Sequence, residues 1–201
     1  TIDVTSNKVS GTGSNQITIN PSTILDSSTQ YYVKIDATAF DDVVGNSYAG
    51  ISDTTSLSFT TGDTTAPTLT STTPADNATA IAVGSNIVLT FSEVVDVESG
   101  NIVIHKTSDN SVVETIDVTS NKITGSGSTQ ITINPTNNLA STTQYYVKID
   151  ATAFDDPSSN SYAGINDTTT LSFTTADIVG PSLSSSTPAD NATAVAEGSN
   201  I

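Results

Sequence analysis

The octapeptide TIDVTSNK occupies residues 1–8 and returns, letter for letter, at residues 115–122. Sliding the chain against itself by that offset aligns 1–87 with 115–201 without a gap, at roughly three quarters identity. The length of this period decides the architecture. Repeats of about 20–50 residues cannot bury a core alone and must stack into solenoids, whereas a unit of about 110 residues can enclose its own core. The chain is therefore expected to be beads on a string. The copies differ mainly at 22–28, at Val43-Val44-Gly45 against Pro157-Ser158-Ser159, and at 62–66 against 176–180. The last difference lies where FTTGDTTAPTLTSTTPADNAT passes from a strand-like run into Gly, Asp and Pro, the composition of a short linker. Boundaries near Asp63 and Asp177 divide the chain into the C-terminal part of one repeat (1–63), a complete repeat (64–177) and the N-terminal strands of a further repeat (178–201). It reads as a window on a longer array.

Within the complete repeat, apolar residues recur with period two, the signature of strands with one buried face. Ile87, Leu89 and Phe91 alternate with Val88 and Thr90; Ile102 and Ile104 alternate with Asn101, Val103 and His105; Ile131 and Ile133 share one face. In YYVKIDA, Tyr145, Val147, Ile149 and Ala151 are expected inside and Tyr146, Lys148 and Asp150 outside; Leu171 and Phe173 continue the pattern. With TLTSTTP at 68–74 and VVETIDVTSNKI at 112–123, this makes about seven short strands per repeat and no helical periodicity, the pattern of an all-β antiparallel sandwich. Leu139 precedes Tyr145 by six residues, as Leu25 precedes Tyr31. That spacing predicts a tyrosine corner, a phenol bonded back to the upstream backbone.

Five lysines face 21 acidic residues, for a formal charge of −16. Such a surface repels nucleic acid and anionic lipid, so neither is expected as a partner. No apolar run approaches the roughly 20 residues of a membrane helix, so no membrane insertion is expected in this window. The absence of cysteine excludes disulfide staples. A hydrophobic content of 35% with abundant Ser and Thr raises disorder. The strict alternation argues against it.

Three segments in order, TTAPTLTSTTPADNATAIAVGSNIVLTFSEVVD, LASTTQYYVKIDATAFDD and TTLSFTT, resemble the bacterial Ig-like repeats of S-layer proteins and large secreted adhesins. The resemblance covers the whole repeat. It implies tandem Ig-like sandwiches in a modular extracellular or cell-surface bacterial protein, with no catalytic role. One departure is the loop after AFDD: Asp42-Val43-Val44-Gly45-Asn46 keeps the common Asp-x-x-Gly-Asn, but the second copy reads Asp156-Pro157-Ser158-Ser159-Asn160. Any role that needs the glycine backbone is in question there.

The sharpest chemical candidate is carboxylate clustering. SEVVDVESG (Glu93, Asp96, Glu98) is expected between the second and third strands, and Asp155, Asp156 and Asp167 between the last two. In an Ig-like sandwich these loops emerge at one end, the end that faces the preceding repeat, so Asp63 in the linker can join them. Such oxygens suit Ca²⁺, which takes six to eight hard ligands. The competing reading is solvated loop charge. His105, on the polar phase of its strand, is expected to be an exposed structural residue; no motif supplies a nucleophile for it to activate.

The expected function is a structural extender of a cell-surface adhesin, S-layer or extracellular filament, with neighbouring repeats as its partners. Two alternatives stand beside it: a carbohydrate- or cell-binding module using the end loops or the outward ring of each Tyr-Tyr pair, and a spacer in a secreted hydrolase. Because 178–201 carries opening strands that 1–63 lacks, end-to-end self-assembly is also expected, with the counterpart of 88–114 left out.

Overall fold

The computed structural model describes residues 1–200, and every regular element among them is a β-strand. Accordingly, among the described residues no helix is long and apolar enough to cross a membrane. Residues 1–63 carry two small antiparallel pairs: β1 (Val9–Ser10) with β2 (Thr18–Ile19), and β3 (Gln30–Tyr32) with β4 (Ser58–Thr60). Two five-stranded sheets follow. One contains β5 (Leu69–Thr73), β7 (Ile87–Val97), β10 (Ile123–Thr124), β11 (Ser128–Ile133) and β13 (Phe154–Asp155), in the order β10-β11-β7-β13 with β5 also on β7. The other runs β6 (Ala78–Ile81), β14 (Ser172–Thr175), β12 (Gln144–Ile149), β8 (Asn101–Lys106), β9 (Val112–Asp117). All ladders are antiparallel except β6 against β14.

The period-two residues meet between the sheets. Ile87, Leu89, Phe91 and Val95 of β7 with Ile131 and Ile133 of β11 face Ile102, Ile104, Val147, Ile149 and Phe173. Phe91 anchors an aromatic cluster, 5.5 Å from Phe154 and edge-on to Tyr162 at 5.1 Å, centroid to centroid. At the rim, Glu114 on β9 accepts from Lys122 Nζ at 2.7 Å and from the Thr136 amide at 2.9 Å. This is the one ion pair among the described residues, and it ties the edge of one sheet to the other. Burial pushes the Glu114 carboxyl up, but bonds from Lys122 and Thr136 outweigh that and hold it below its usual value.

The seven strands read from the alternation all form. Three short ones, β6, β10 and β13, carry little periodicity: two are only two residues long, and β6 contains Ala80 at a left-handed φ of 57°. The expected inside and outside of YYVKIDA also depart from simple alternation, since Tyr146 in β12 is buried and Ala151, in the turn after it, is exposed. A cover explains the first. The His105 ring stacks on Tyr146 at 4.8 Å and 3°, and the Tyr146 hydroxyl donates to Asn110 Oδ1 at 3.2 Å. His105 itself is half-buried, not exposed, with Nδ1 3.2 Å from the Asn110 carbonyl.

Every buried hydrophobic residue lies between Ile87 and Phe173. The same letters fare differently in the first copy. Ile131 and Phe173 are 0% and 1% exposed, whereas their counterparts Ile17 and Phe59 are 37% and 43% exposed. No described residues stand against 1–63 as β5–β8 stand against 115–175. The uncovered face bounds a cavity of about 770 Å³ lined by Ile2, Val4, Val9, Ile19, Tyr31 and Phe40 among others.

Both tyrosine corners form. The Tyr145 hydroxyl accepts from the Ala140 amide at 2.9 Å, and Tyr31 from the Asp26 amide at 2.9 Å. Tyr145→Phe removes the acceptor and leaves the Ala140 N–H to find water, so it is expected to cost about 1 kcal/mol, read as a lower midpoint in denaturant unfolding with an unchanged slope.

Candidate functional site

The site begins with a loop that closes on its own aspartate. After β13, Asp156 is almost wholly buried. Its Oδ1 accepts from the amides of Ser158 and Asn160, both at 2.8 Å, and its Oδ2 from Asn160 Nδ2 at 2.8 Å. Asp42 makes the same three bonds with Val44 and Asn46. The loop therefore survives loss of the glycine: Ser159 takes φ 67° where Gly45 has 88°. A left-handed residue with a Cβ costs roughly 1–2 kcal/mol, which the closed hydrogen-bond set offsets. Burial pushes the Asp156 carboxyl up, yet the bonds from Asn160 and Ser158 win and hold it below the usual carboxylate range.

Glu93 comes from a strand, where a loop was expected. β7 pairs Thr90 with Gln130 but Val95 with Ser128, so five steps along β7 answer two along β11. The excess forms a bulge over 91–94, a device that re-aims side chains. Glu93 shares parity with buried Phe91 and Val95 and is itself half-buried. An acid in the apolar phase of a strand was the sequence signal for this position.

Asp63 arrives from the linker. Its Oδ1 accepts from Ser27 Oγ at 2.9 Å and from the Thr65 amide at 3.0 Å, while its main-chain carbonyl accepts from Asn160 Nδ2 at 3.3 Å. Asp63, Glu93 and Asp156 thereby bring one carboxylate oxygen each within 4.8 Å of one another. Burial, then the charges of Asp63 and Asp156, push the Glu93 carboxyl up. Three hard oxygens are a partial cation shell; Ca²⁺ needs further carbonyls or water.

The other four acids named from sequence lie outside this group. Asp96 stands opposite Asp155 in the β7–β13 ladder, and Glu98 follows β7 with its amide bonded to the Ala153 carbonyl at 3.0 Å. Asp167 caps its own turn, accepting from the Thr169 and Thr170 amides at 2.7 Å and from Thr170 Oγ1 at 2.7 Å. Those donors, led by the Thr170 hydroxyl, hold its carboxyl far below the usual range. Nor does Tyr146 offer an outward ring for sugar stacking, because His105 covers it.

The sign of the Glu93 effect is testable. A carboxyl whose folded-state pKa is raised adds stability below its unfolded value, and that contribution is lost as pH rises through the folded value. At neutral pH the charged Glu93 therefore opposes folding. Glu93→Gln, melted in chelator, is expected to have a higher Tm than the parent at pH 7, with the gap shrinking toward pH 4; a lower Tm at pH 7 would show that the charge is not opposing the fold.

A family model described as the bacterial Ig-like domain matches residues 1–61 and again 63–175. No curated protein matches the chain. Among solved structures, the crystal structure of CopC from Methylosinus trichosporium OB3b aligns with a TM-score of 0.41 and 18% sequence identity, over 58% of this chain and 99% of that one. The two successive family matches together span most of the sequence, and the chain belongs to the bacterial Ig-like domain family.

Proposed function

We propose that this chain consists of non-catalytic extender repeats of a bacterial cell-surface or extracellular protein, of the adhesin, S-layer or filament kind. The repeats divide as 1–63, 64–177 and the strands that open from 178. The observation that carries this reading is the bonding of Asp63. Its side chain holds Ser27 of the repeat before it, and its carbonyl holds Asn160 of the repeat after it. The next linker repeats the first half of that arrangement: Asp177 Oδ1 lies 3.4 Å from Ser141 Oγ, which also accepts from the Ile178 amide at 3.0 Å. Ser141 precedes β12 and Asn160 lies beyond its far end, so one linker docks at one end of the sandwich and the next departs from the other. Domains joined this way string in line. Family membership supports a surface or extracellular setting and no catalysis.

Calcium at Asp63, Glu93 and Asp156 extends the reading. A divalent cation there neutralises the like charge that, after burial, raises Glu93, and adds to a joint at which Asn160 reaches the Asp63 carbonyl by one long bond. Repulsion across an acidic array is then traded for stiffness at each junction.

Small-angle scattering on arrays of one, two and four repeats tests the extender. The maximum dimension is expected to rise by roughly 40 Å per repeat, the length of about ten strand residues plus turns, and calcium is expected to raise the melting temperature over that in chelator. A dimension that stops growing with repeat number overturns the extender. Equal melting in calcium and chelator overturns the metal alone.

A further inference from the structure

The end of the complete sandwich that lies away from Asp63 carries a cleft of different chemistry. Ile87, the first residue of β7, pairs with Ile133, the last of β11, so the turn before β7 and the loop after β11 emerge side by side. Between them lies a cavity of about 230 Å³, walled by Val83, Gly84 and Ser85 on one side and by 134–138 on the other. The loop is pinned at several points. The Leu139 amide donates to the Val83 carbonyl at 2.8 Å and the Asn134 amide to the Lys122 carbonyl at 2.9 Å. The Thr136 amide donates to Glu114 Oε2 at 2.9 Å, and its hydroxyl accepts from Lys122 Nζ and donates to Glu114. Gly84 makes room for the Asn138 carboxamide: a Cβ there would come within 2.9 Å of Asn138 Oδ1. Walls held in place before a ligand arrives lose less conformational entropy on binding.

In a chain of net charge −16, this lining carries no charged side chain. Its available groups are the carboxamides of Asn134, Asn137 and Asn138 and the hydroxyl of Ser85, none of which bonds to another described residue. Each carboxamide offers two N–H donors and a carbonyl acceptor, and the hydroxyl serves as either. Such a set suits the neighbouring hydroxyls of a sugar ring, which donate and accept at once. It offers nothing to an ion or to an apolar side chain. The volume falls below the roughly 300–1,000 Å³ of clefts that take drug-sized ligands, which leaves room for a single ring.

The two copies of the sequence differ at this lining and agree around it. Thr136, Asn137 and Asn138 stand where the first copy has Ser22, Thr23 and Ile24, although QITINP before them and TQYYVKIDATAFDD after them are identical in both. A following repeat also leaves the loop open. Across the junction at Asp63, residues 20–24 are all exposed, Ile24 at 99%. From this we infer that the cleft of the complete repeat binds one neutral sugar residue through Ser85, Asn134, Asn137 and Asn138. The extender then carries a glycan contact at one end of the sandwich, and that contact needs neither a cation at Asp63 nor an extended array.

Amide correlation NMR of the 201-residue chain tests this, with glucose, galactose, mannose and N-acetylglucosamine each titrated into the high-millimolar range and glycerol as the control. At least one sugar is expected to shift the amides of Ser85, Asn134, Asn137 and Asn138 along a saturating curve, and glycerol is not. Asn137→Thr combined with Asn138→Ile installs the first copy's residues at two exposed positions. That variant is expected to melt with the parent and to bind about tenfold more weakly or not at all, as the loss of two hydrogen bonds requires. Gly84→Ala, which displaces the Asn138 carboxamide, is expected to weaken the same shifts. No saturating shift with any of the four sugars, an equal response to glycerol, or shifts that persist unchanged in the double variant overturns the inference.

Discussion

The structure depends on one pairing of surfaces, the apolar faces of two sheets that each take strands from both halves of the repeat: β5 and β7 join β10, β11 and β13 in one, and β6 and β8 join β9, β12 and β14 in the other. Each large side chain buried there contributes about 1.5–3 kcal/mol relative to exposure, and the contribution exists only while both faces are present. The first copy shows the dependence within the same molecule. Its strand pairs β1–β2 and β3–β4 keep their registers and its tyrosine corner keeps its bond. Its apolar residues stay exposed because the described residues supply nothing to cover them. Local sequence makes the strand pairs and corners; burial requires the other half of the sandwich.

Joints between the repeats follow a different rule. Apolar surface plays little part where Asp63, Glu93, Asp156 and Asn160 meet; the contact is made of carboxylates, an amide and a main-chain carbonyl. Asp156 serves its own loop first, and Asn160, fastened by that loop, is left with one N–H to spend on the linker carbonyl. The bulge in β7 turns Glu93 toward the same point. Glu93 is the group at this contact whose carboxyl is raised, by burial and by the charges of Asp63 and Asp156.

Much of this was legible in the sequence where the physics is local. Alternation located the seven main strands, and the Leu-to-Tyr spacing anticipated both corners. What escaped depended on neighbours distant in sequence. Tyr146 reads as an outward residue in β12, and only the stacking of His105 from β8 makes it buried. Glu93 reads as a loop acid because the bulge over 91–94 cannot be seen without the register of β11. Of the seven acids named as possible ligands, three converge. Asp167 spends its oxygens capping its own turn, and Asp96 and Asp155 face each other across a ladder, arrangements that composition does not distinguish from a shared site.

Amide hydrogen exchange at dilute concentration compares the two copies within one chain, because most residues of 1–63 have an identical twin in 115–177. If burial depends on strands from both halves of the repeat, the amides of Ile131, Tyr145 and Phe173 exchange orders of magnitude more slowly than those of Ile17, Tyr31 and Phe59. Equal protection in the two copies would contradict the account, for it would mean that residues 1–63 are stable without the surface that covers their counterparts.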